Sequence, residues 1–437
     1  MNTQRPTRSN NAKSATSHAS SVAGPQISSV DTAASPSGGR AASRTGPRLA
    51  AKPDTKARPT KPTLGPGAKT GGKAKAQDRK PSWPRACILT GGGDAPGLNA
   101  VLRAFVRACE PLGVEVVGSR DGFTSLVEGQ PLVPLNRESV RGILPKGGTV
   151  LGTSNRGNPF DYPQGKRSVN RSRRVVKRLA DEGISCLILI GGDGTLGIGQ
   201  KLALQGVRVI GIPKTIDNDL RATDRTFGLD TAVGTATWAI DTLHSTAEAH
   251  QRVMILEVMG RHAGFIALHA GIAGGADVIL MPELPYNVER VAAQVRRRTR
   301  LGAPFSIIVI GEGAYPQGGA VNTLQGATVG TPTRLAGAGH ELAELLAPRI
   351  PHEVRVTVLG HLQRGGSPSP ADRILATRFG IRAAELCAAG ESNCMVALRG
   401  THIVSVPLNE ATSGLHRVDL KGEFVAVART LGIELGA

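Results

Sequence analysis

The chain has 437 residues, 40% of them hydrophobic and 3% aromatic, with five cysteines and a net charge of +19. That length suffices for more than one core, no apolar run approaches the ~18 residues of a membrane span, and scattered cysteines without a C-x-x-C pair exclude a disulfide scaffold or a zinc site. The charge is uneven: residues 1–80 carry 15 Lys and Arg against 3 Asp, so most of the excess marks a tail and a nucleic-acid partner is disfavoured.

Residues 1–84 read as a disordered basic N-terminal tail, rich in Ser, Ala, Gly and Pro, which cannot bury enough apolar surface to offset its ordering entropy. The tail has no apolar stretch of a secretory signal, and its weak amphipathic periodicity argues against an organelle transit peptide. A loose contact with a polyanion is the alternative to a solvated tail. Free thiols suit a reduced, cytoplasmic protein.

From Arg85 onward short apolar strands alternate with helical patterns. Strands are predicted at 86–89, 114–118, 186–190 and 207–212, with helices at 99–110, 171–181 and 196–204. A second series has strands at 253–258, 278–281, 305–310 and 354–359 and helices at 264–272, 288–301 and 338–346. The strands are continuously apolar, as in parallel sheets covered on both faces. The fold class is therefore α/β, with two parallel-sheet, Rossmann-like domains and the site in the cleft between them. Ligands in such folds sit at the carboxyl ends of strands, and the polar motifs fall there.

The run Leu187-Ile188-Leu189-Ile190-Gly191-Gly192-Asp193-Gly194-Thr195 carries most information. Glycines let backbone N–H groups approach a polyphosphate, the following helix N-terminus adds positive charge, and Asp193 is placed to hold a metal. The same residues also suit a tight turn capped by Asp193. Thr90 to Asn99 forms a second glycine-rich loop, and Arg156 could reach phosphates from a third, or be a solvated loop arginine. In Pro213-Lys214-Thr215-Ile216-Asp217-Asn218-Asp219, Asp217 is a candidate to accept a hydroxyl proton, while Asp219 orders metal waters or Lys214; ordinary Asx turns are the alternative. Arg252, Arg261, Arg355, His361 and Arg364 are expected to form a cationic pocket for a phosphorylated ligand.

In order, GGGDAPGLN, GGTVLGTSNR, GGDGT, PKTIDND, AHQR, EVMGRHAG, GEG and LGHLQRGGSPSPADR resemble the ATP/pyrophosphate-dependent 6-phosphofructokinase family from about Arg85 to about Gly400. GGDGT alone is shared with NAD and diacylglycerol kinases; PKTIDND followed by MGR and GHLQRGG is not. The resemblance implies phosphoryl transfer to the 1-hydroxyl of fructose 6-phosphate with Mg²⁺. It implies Asp217 as proton acceptor with Arg261 and Lys214 beside it, and Asp193 as metal ligand. The donor site would be Gly93, Arg156, Gly192, Gly194 and Thr195. Thr215, Met259, Gly260, Arg261 and Glu312 would contact the sugar, and Arg252, Arg355, His361 and Arg364 the sugar and its 6-phosphate. It also implies a homo-oligomer, tetramer or dimer, in which two such arginines come from a neighbouring subunit.

The expected donor domain spans 85–227 with a return segment 362–415, the sugar domain 228–361, and residues 416–437 form a C-terminal segment. The donor reads as ATP, since Gly194 leaves open the space an α-phosphate needs; pyrophosphate is the alternative, since Lys214 suits it. Arg103 and Arg107 match two arginines of the bacterial effector site. Of that site's other cations Lys146 alone remains, with His244, Leu301 and Ala303 in the other places. The usual effector control is therefore not expected. A nucleic-acid-binding non-enzyme is the more remote alternative.

Overall fold

The computed structural model describes residues 84–437 apart from 166, 322, 326–333 and 336. The reading of the N-terminal tail falls outside the described residues.

Two sheets organise these residues. The larger has seven strands, in spatial order His402–Pro407, Cys394–Arg399, Val209–Pro213, Cys186–Gly191, Arg85–Thr90, Glu115–Ser119 and Val133–Leu135. Its five inner strands are parallel, and the two edge strands run antiparallel to their neighbours. The smaller sheet has four parallel strands, ordered Val354–Val358, Val253–Val258, Ser306–Gly311 and Val278–Leu280. The sequence reading assigns no antiparallel edges; each lies in a short hairpin or a three-residue strand that apolar periodicity does not single out.

Both sheets are covered on both faces, which is why their strands are apolar throughout. In the larger, Ile88, Ile188, Ile190 and Ile212 pack with the helices Leu98–Cys109 and Pro370–Ala388, whereas Leu89, Leu187 and Leu189 pack on the opposite side with Leu179 and Leu196. In the smaller, Met254, Leu256 and Val258 face the helices Leu229–His250 and Phe265–Ala273, while Val253 and Ile255 face Val288–Arg300 and Ala338–Leu346. The period of two sets both assignments. The C-terminal segment belongs to the smaller sheet's side: Val418, Val425, Ala428, Ile433 and Leu435 are buried in the core with Leu256 and Ile266.

In the larger sheet the chain turns outward one way after Arg85–Thr90 and the other way after Cys186–Gly191. This reversal is the switch point at which open α/β sheets leave a crevice. The two glycine-rich loops flank it.

Candidate active site

The loops at the switch point interlock through Thr195. A Cβ on Gly91 would lie 2.7 Å from its Oγ1, and one on Gly191 would lie 2.3 Å from its Cβ. Only glycine fits at both, and Thr195 is buried at 6% exposure. Gly92 is tied to the loop after Gly152, since its carbonyl accepts from Thr153 Oγ1 at 2.6 Å. Asp193 does not cap the helix Asp193–Ala203. Gly192 is the cap residue and makes no side-chain bond, and Asp193 stands exposed in the first turn. Gly194 faces open space, with nothing within 4 Å of a Cβ placed there. Arg156 is exposed on its loop.

The third loop begins where Lys214 N–H donates to the Gly191 carbonyl at 3.0 Å. The Lys214 side chain is buried, and its ammonium donates to the Gly93 carbonyl. Burial, then the neighbouring Arg364 charge, lowers its pKa to about 8, against the pull of Asp219, Asp94 and Asp217. Thr215 Oγ1 accepts from Asp217 N–H at 3.1 Å and donates to the Asp219 carboxylate. Asn218, at φ +54°, holds the turn by accepting from Thr226 N–H at 2.8 Å.

Asp217 is half-buried, and its Oδ1 is enclosed without a hydrogen-bond partner. Burial and the Asp219 charge push it up to about 6, although Arg364, the Arg261 backbone amide and Lys214 oppose them. Burial also raises Asp219; the Thr215 hydroxyl pulls it down and the Asp193 carboxylate nearby pushes it up. Two hard carboxylates beside an open helix N-terminus fit Mg²⁺, which takes one or two carboxylates plus waters and phosphate oxygens. Among the described residues no three His, Cys, Asp or Glu side chains are grouped to hold an ion.

The smaller sheet supplies the opposite wall. Met259 N–H donates to the buried Gln363 Oε1 at 2.7 Å. Gly260 sits at φ +133°, where a Cβ would lie 2.8 Å from the Ala263 carbonyl. Glu312 N–H donates to the Val258 carbonyl at 2.8 Å. Burial and the Asp217 charge push Glu312 up to about 7, with Arg364 and Arg261 opposing. Arg364 crosses the cleft: its Nη1 donates to the Asp94 carbonyl at 3.1 Å. His361 is exposed on the short turn Gly360–Gln363.

The five-cation pocket is not formed within one chain. Arg261, His361 and Arg364 lie at carboxyl ends of strands. Arg252 and Arg355 lie at the amino ends of Val253–Val258 and Val354–Val358, and both pair with the Glu353 carboxylate. A six-residue strand spans about 20 Å, so these two arginines stand well apart from Asp217. Spacing along the sequence does not show Glu353, which pairs through the sheet register.

Three further residues go unassigned in the sequence reading. Gln363 fixes the Met259 backbone and donates to the Ala232 carbonyl at 3.3 Å; a lone buried amide carries no pattern. Glu257 is buried and accepts from Gly339 N–H at 2.8 Å, at the start of the helix Ala338–Leu346. Its place in the alternation with Val253 and Ile255 is the signal for that orientation. His262 lies near Asp193, Asp219 and Arg417; burial, then Arg261, lowers its pKa. Of the effector-site positions, His244 is engaged internally with the Gly274 carbonyl at 3.1 Å.

A parallel α/β scaffold with glycine-rich anion loops, an enclosed carboxylate and converging cations defines a phosphotransferase. The phosphofructokinase family profile matches residues 85–387. An ATP-dependent 6-phosphofructokinase of Chloroflexus aurantiacus is 52% identical over 353 residues, 80% of this chain and 98% of the relative. A pyrophosphate–fructose 6-phosphate 1-phosphotransferase of Streptomyces coelicolor is 53% identical over 337 residues, 76% and 95% respectively. A solved phosphofructokinase structure from Saccharomyces cerevisiae superposes with a TM-score of 0.63 at 29% identity, over 76% of this chain and 45% of that one. The chain belongs to the phosphofructokinase family.

Proposed function

We propose that the protein transfers the γ-phosphoryl group of ATP to the 1-hydroxyl of fructose 6-phosphate, giving fructose 1,6-bisphosphate. The observation that carries this reading is Asp217: a carboxylate with one enclosed, unpartnered oxygen, held between the polyphosphate loops and the wall that carries Arg261 and Glu312. An oxygen so placed can accept a hydroxyl proton as that hydroxyl attacks phosphorus.

The chain's own groups divide the work. Glycine-loop N–H groups from Gly93, Gly192 and Gly194 cradle the donor, with Thr195 bracing the loops and Arg156 reaching the phosphates. Lys214 and Arg261 stabilise charge on the transferring group. Thr215, Met259, Gly260 and Glu312 position the sugar, and His361 and Arg364 take its phosphate. Asp193, with Asp219 near it, would hold Mg²⁺, which neutralises donor phosphate charge.

Relatives with either donor in their names stand at nearly the same identity, so identity does not choose. The open space at Gly194 favours ATP. Pyrophosphate is the second reading, favoured by the buried Lys214 beside Gly93. Arg252 and Arg355 would serve the site of a neighbouring copy, in a homo-oligomer working in the cytoplasm. No helix among the described residues is long and apolar enough to cross a membrane. A coupled assay for fructose 1,6-bisphosphate, run with ATP and then with pyrophosphate, tests the reading. Turnover with neither donor overturns it, and turnover with pyrophosphate alone overturns the donor.

A further inference from the structure

After the last hairpin of the larger sheet the chain crosses to the smaller sheet's side, and on the way residues 415–418 meet both walls of the cleft. Leu415 pairs with Leu220 in an antiparallel bridge, and its carbonyl accepts from Arg221 Nε at 3.3 Å. His416 N–H donates to the Asp219 carbonyl at 2.8 Å, and His416 Nδ1 lies 3.0 Å from the Asn218 carbonyl. Two residues on, Val418 N–H donates to Glu283 Oε1 at 2.8 Å. The same carboxylate accepts from Gly264 N–H, at 3.0 Å to Oε1 and 3.1 Å to Oε2. Gly264 follows the run Met259-Gly260-Arg261-His262-Ala263, and the His416 ring sits against Phe265 with centroids 4.9 Å apart. One short strap is thus bonded to the turn that carries Asp217 and to the loop that carries Arg261.

We propose that His416 is a positioning residue for phosphoryl transfer: its Nδ1–H fixes the Asn218 carbonyl and so aims the Asp217 carboxylate. A carbonyl only accepts, so Nδ1 carries the proton. Asp217 Oδ1 has no hydrogen-bond partner, so no bond at that oxygen aims it and the backbone on either side must. Upstream, Asp217 N–H donates to Thr215 Oγ1 at 3.1 Å. Downstream, Asn218 sits at φ +54°, a left-handed conformation that asparagine tolerates and that local bonds must hold. Thr226 N–H grips its side chain at 2.8 Å, which leaves the peptide group between Asn218 and Asp219 free to swing. His416 removes that freedom.

The strap is anchored well enough to do so. Val418 is buried in the core with Leu256 and Ile266, and Glu283 bridges its backbone to Gly264. His416 is therefore held against the smaller sheet's side and does not follow the turn if the turn moves. A misplacement of about 1 Å at a reacting group can cost roughly 10²-fold in rate, so a bond that touches no substrate governs kcat.

Two variants of the full chain separate the donor from the ring. His416→Asn puts an amide N–H close to the place of Nδ1–H and loses the contact with Phe265; His416→Phe keeps the ring contact and loses the donor. With His416→Phe, kcat should fall roughly 10–100-fold while both KM values stay within about twofold. With His416→Asn, kcat should stay within about threefold of the wild type. Hydrogen exchange followed by mass spectrometry should show amides of residues 215–220 exchanging about fivefold faster or more in His416→Phe, the worth of one hydrogen bond, and near the wild-type rate in His416→Asn. Wild-type kcat in His416→Phe, unchanged exchange in its turn, or His416→Asn losing as much kcat as His416→Phe would overturn the assignment. So would a melting temperature that drops in His416→Asn alone, which would mark the ring as merely structural. The loss of kcat presupposes the phosphotransfer reading, whereas exchange in the turn does not. A wild type without turnover on either donor, whose turn still loosens in His416→Phe, would sink that reading and leave the hold of His416 on the turn standing.

Discussion

Asp217 is held between opposing neighbours. Burial and Asp219 disfavour its charge, while Arg364, the Arg261 amide and Lys214 favour it, and the balance lies at about 6. As the proposed base, Asp217 must be ionised, so kcat/KM should fall as pH drops through that value of the free enzyme. Asp217→Ala should lower kcat by roughly 10²–10⁴-fold, the worth of a positioned base, with a much smaller change in sugar KM; steady-state kinetics across pH 5–8 check both. The same shift has a stability sign. The folded pKa lies above the ordinary 3.8, so the folded form binds the proton more tightly, and stability present below pH 3.8 is lost as pH rises through about 6. Asp217→Asn should therefore melt above the wild type at pH 8, with the gap closing toward pH 4. Gly194 offers a complementary case at residue scale. Gly194→Asp should leave the melting temperature near its present value, because a first-turn acid suits a helix N-terminus. It should raise the KM for ATP by roughly tenfold or more, since like charges 4 Å apart near a protein surface repel by about 4 kcal/mol before screening.

At the scale of elements, the Val253–Val258 strand ties three parts together. Its alternation sends Met254, Leu256 and Val258 to one layer and Val253, Ile255 and Glu257 to the other, where Glu257 meets the amino end of Ala338–Leu346. Glu257→Ala leaves a buried N–H without its acceptor and removes an acid from a helix N-terminus. Unfolding stability should drop by about 1–3 kcal/mol, the cost of such an orphaned donor, as read by urea denaturation. The donor KM should stay unchanged, because Glu257 touches neither glycine loop.

The loops that carry Asp193, Lys214 and Asp217 are legible in sequence because a continuous apolar strand running into glycine and acid has few other physical readings. Two long helices are not. Leu229–His250 buries Ala232, Ala236 and Ala239, small residues whose stripe carries little hydrophobic contrast, and its threonines and Gly234 weaken helix propensity. Pro370–Ala388 starts at a proline, which fits the first turn but reads as a breaker from the sequence. Both cover a sheet face, so tertiary packing decides them. The Arg252–Glu353–Arg355 cluster is likewise invisible because it depends on which strand lies beside which.

That cluster sets the question at the scale of the whole molecule. Arg252 and Arg355 share one carboxylate at the amino edge of the smaller sheet, while Asp217 and Arg261 meet in the cleft at its carboxyl edge. A cation about 20 Å from the reacting hydroxyl cannot bind a phosphate six carbons or fewer away from it. If these arginines serve a sugar phosphate, a second copy must present them, and a C₂ pairing would exchange them reciprocally. Arg252→Ala and Asp217→Ala proteins should then each be inactive or nearly so, for different reasons. When the two are mixed and allowed to exchange, a hybrid dimer has one site with both Asp217 and Arg252 intact and one with neither. Random pairing makes half the dimers hybrid, so about a quarter of the sites should regain function. Rescue is read as turnover in the mixture above the sum of the separate proteins, with exchange verified by differently tagged chains. Exchange without rescue would mean that Arg252 acts only within its own fold, as the partner that holds Glu353.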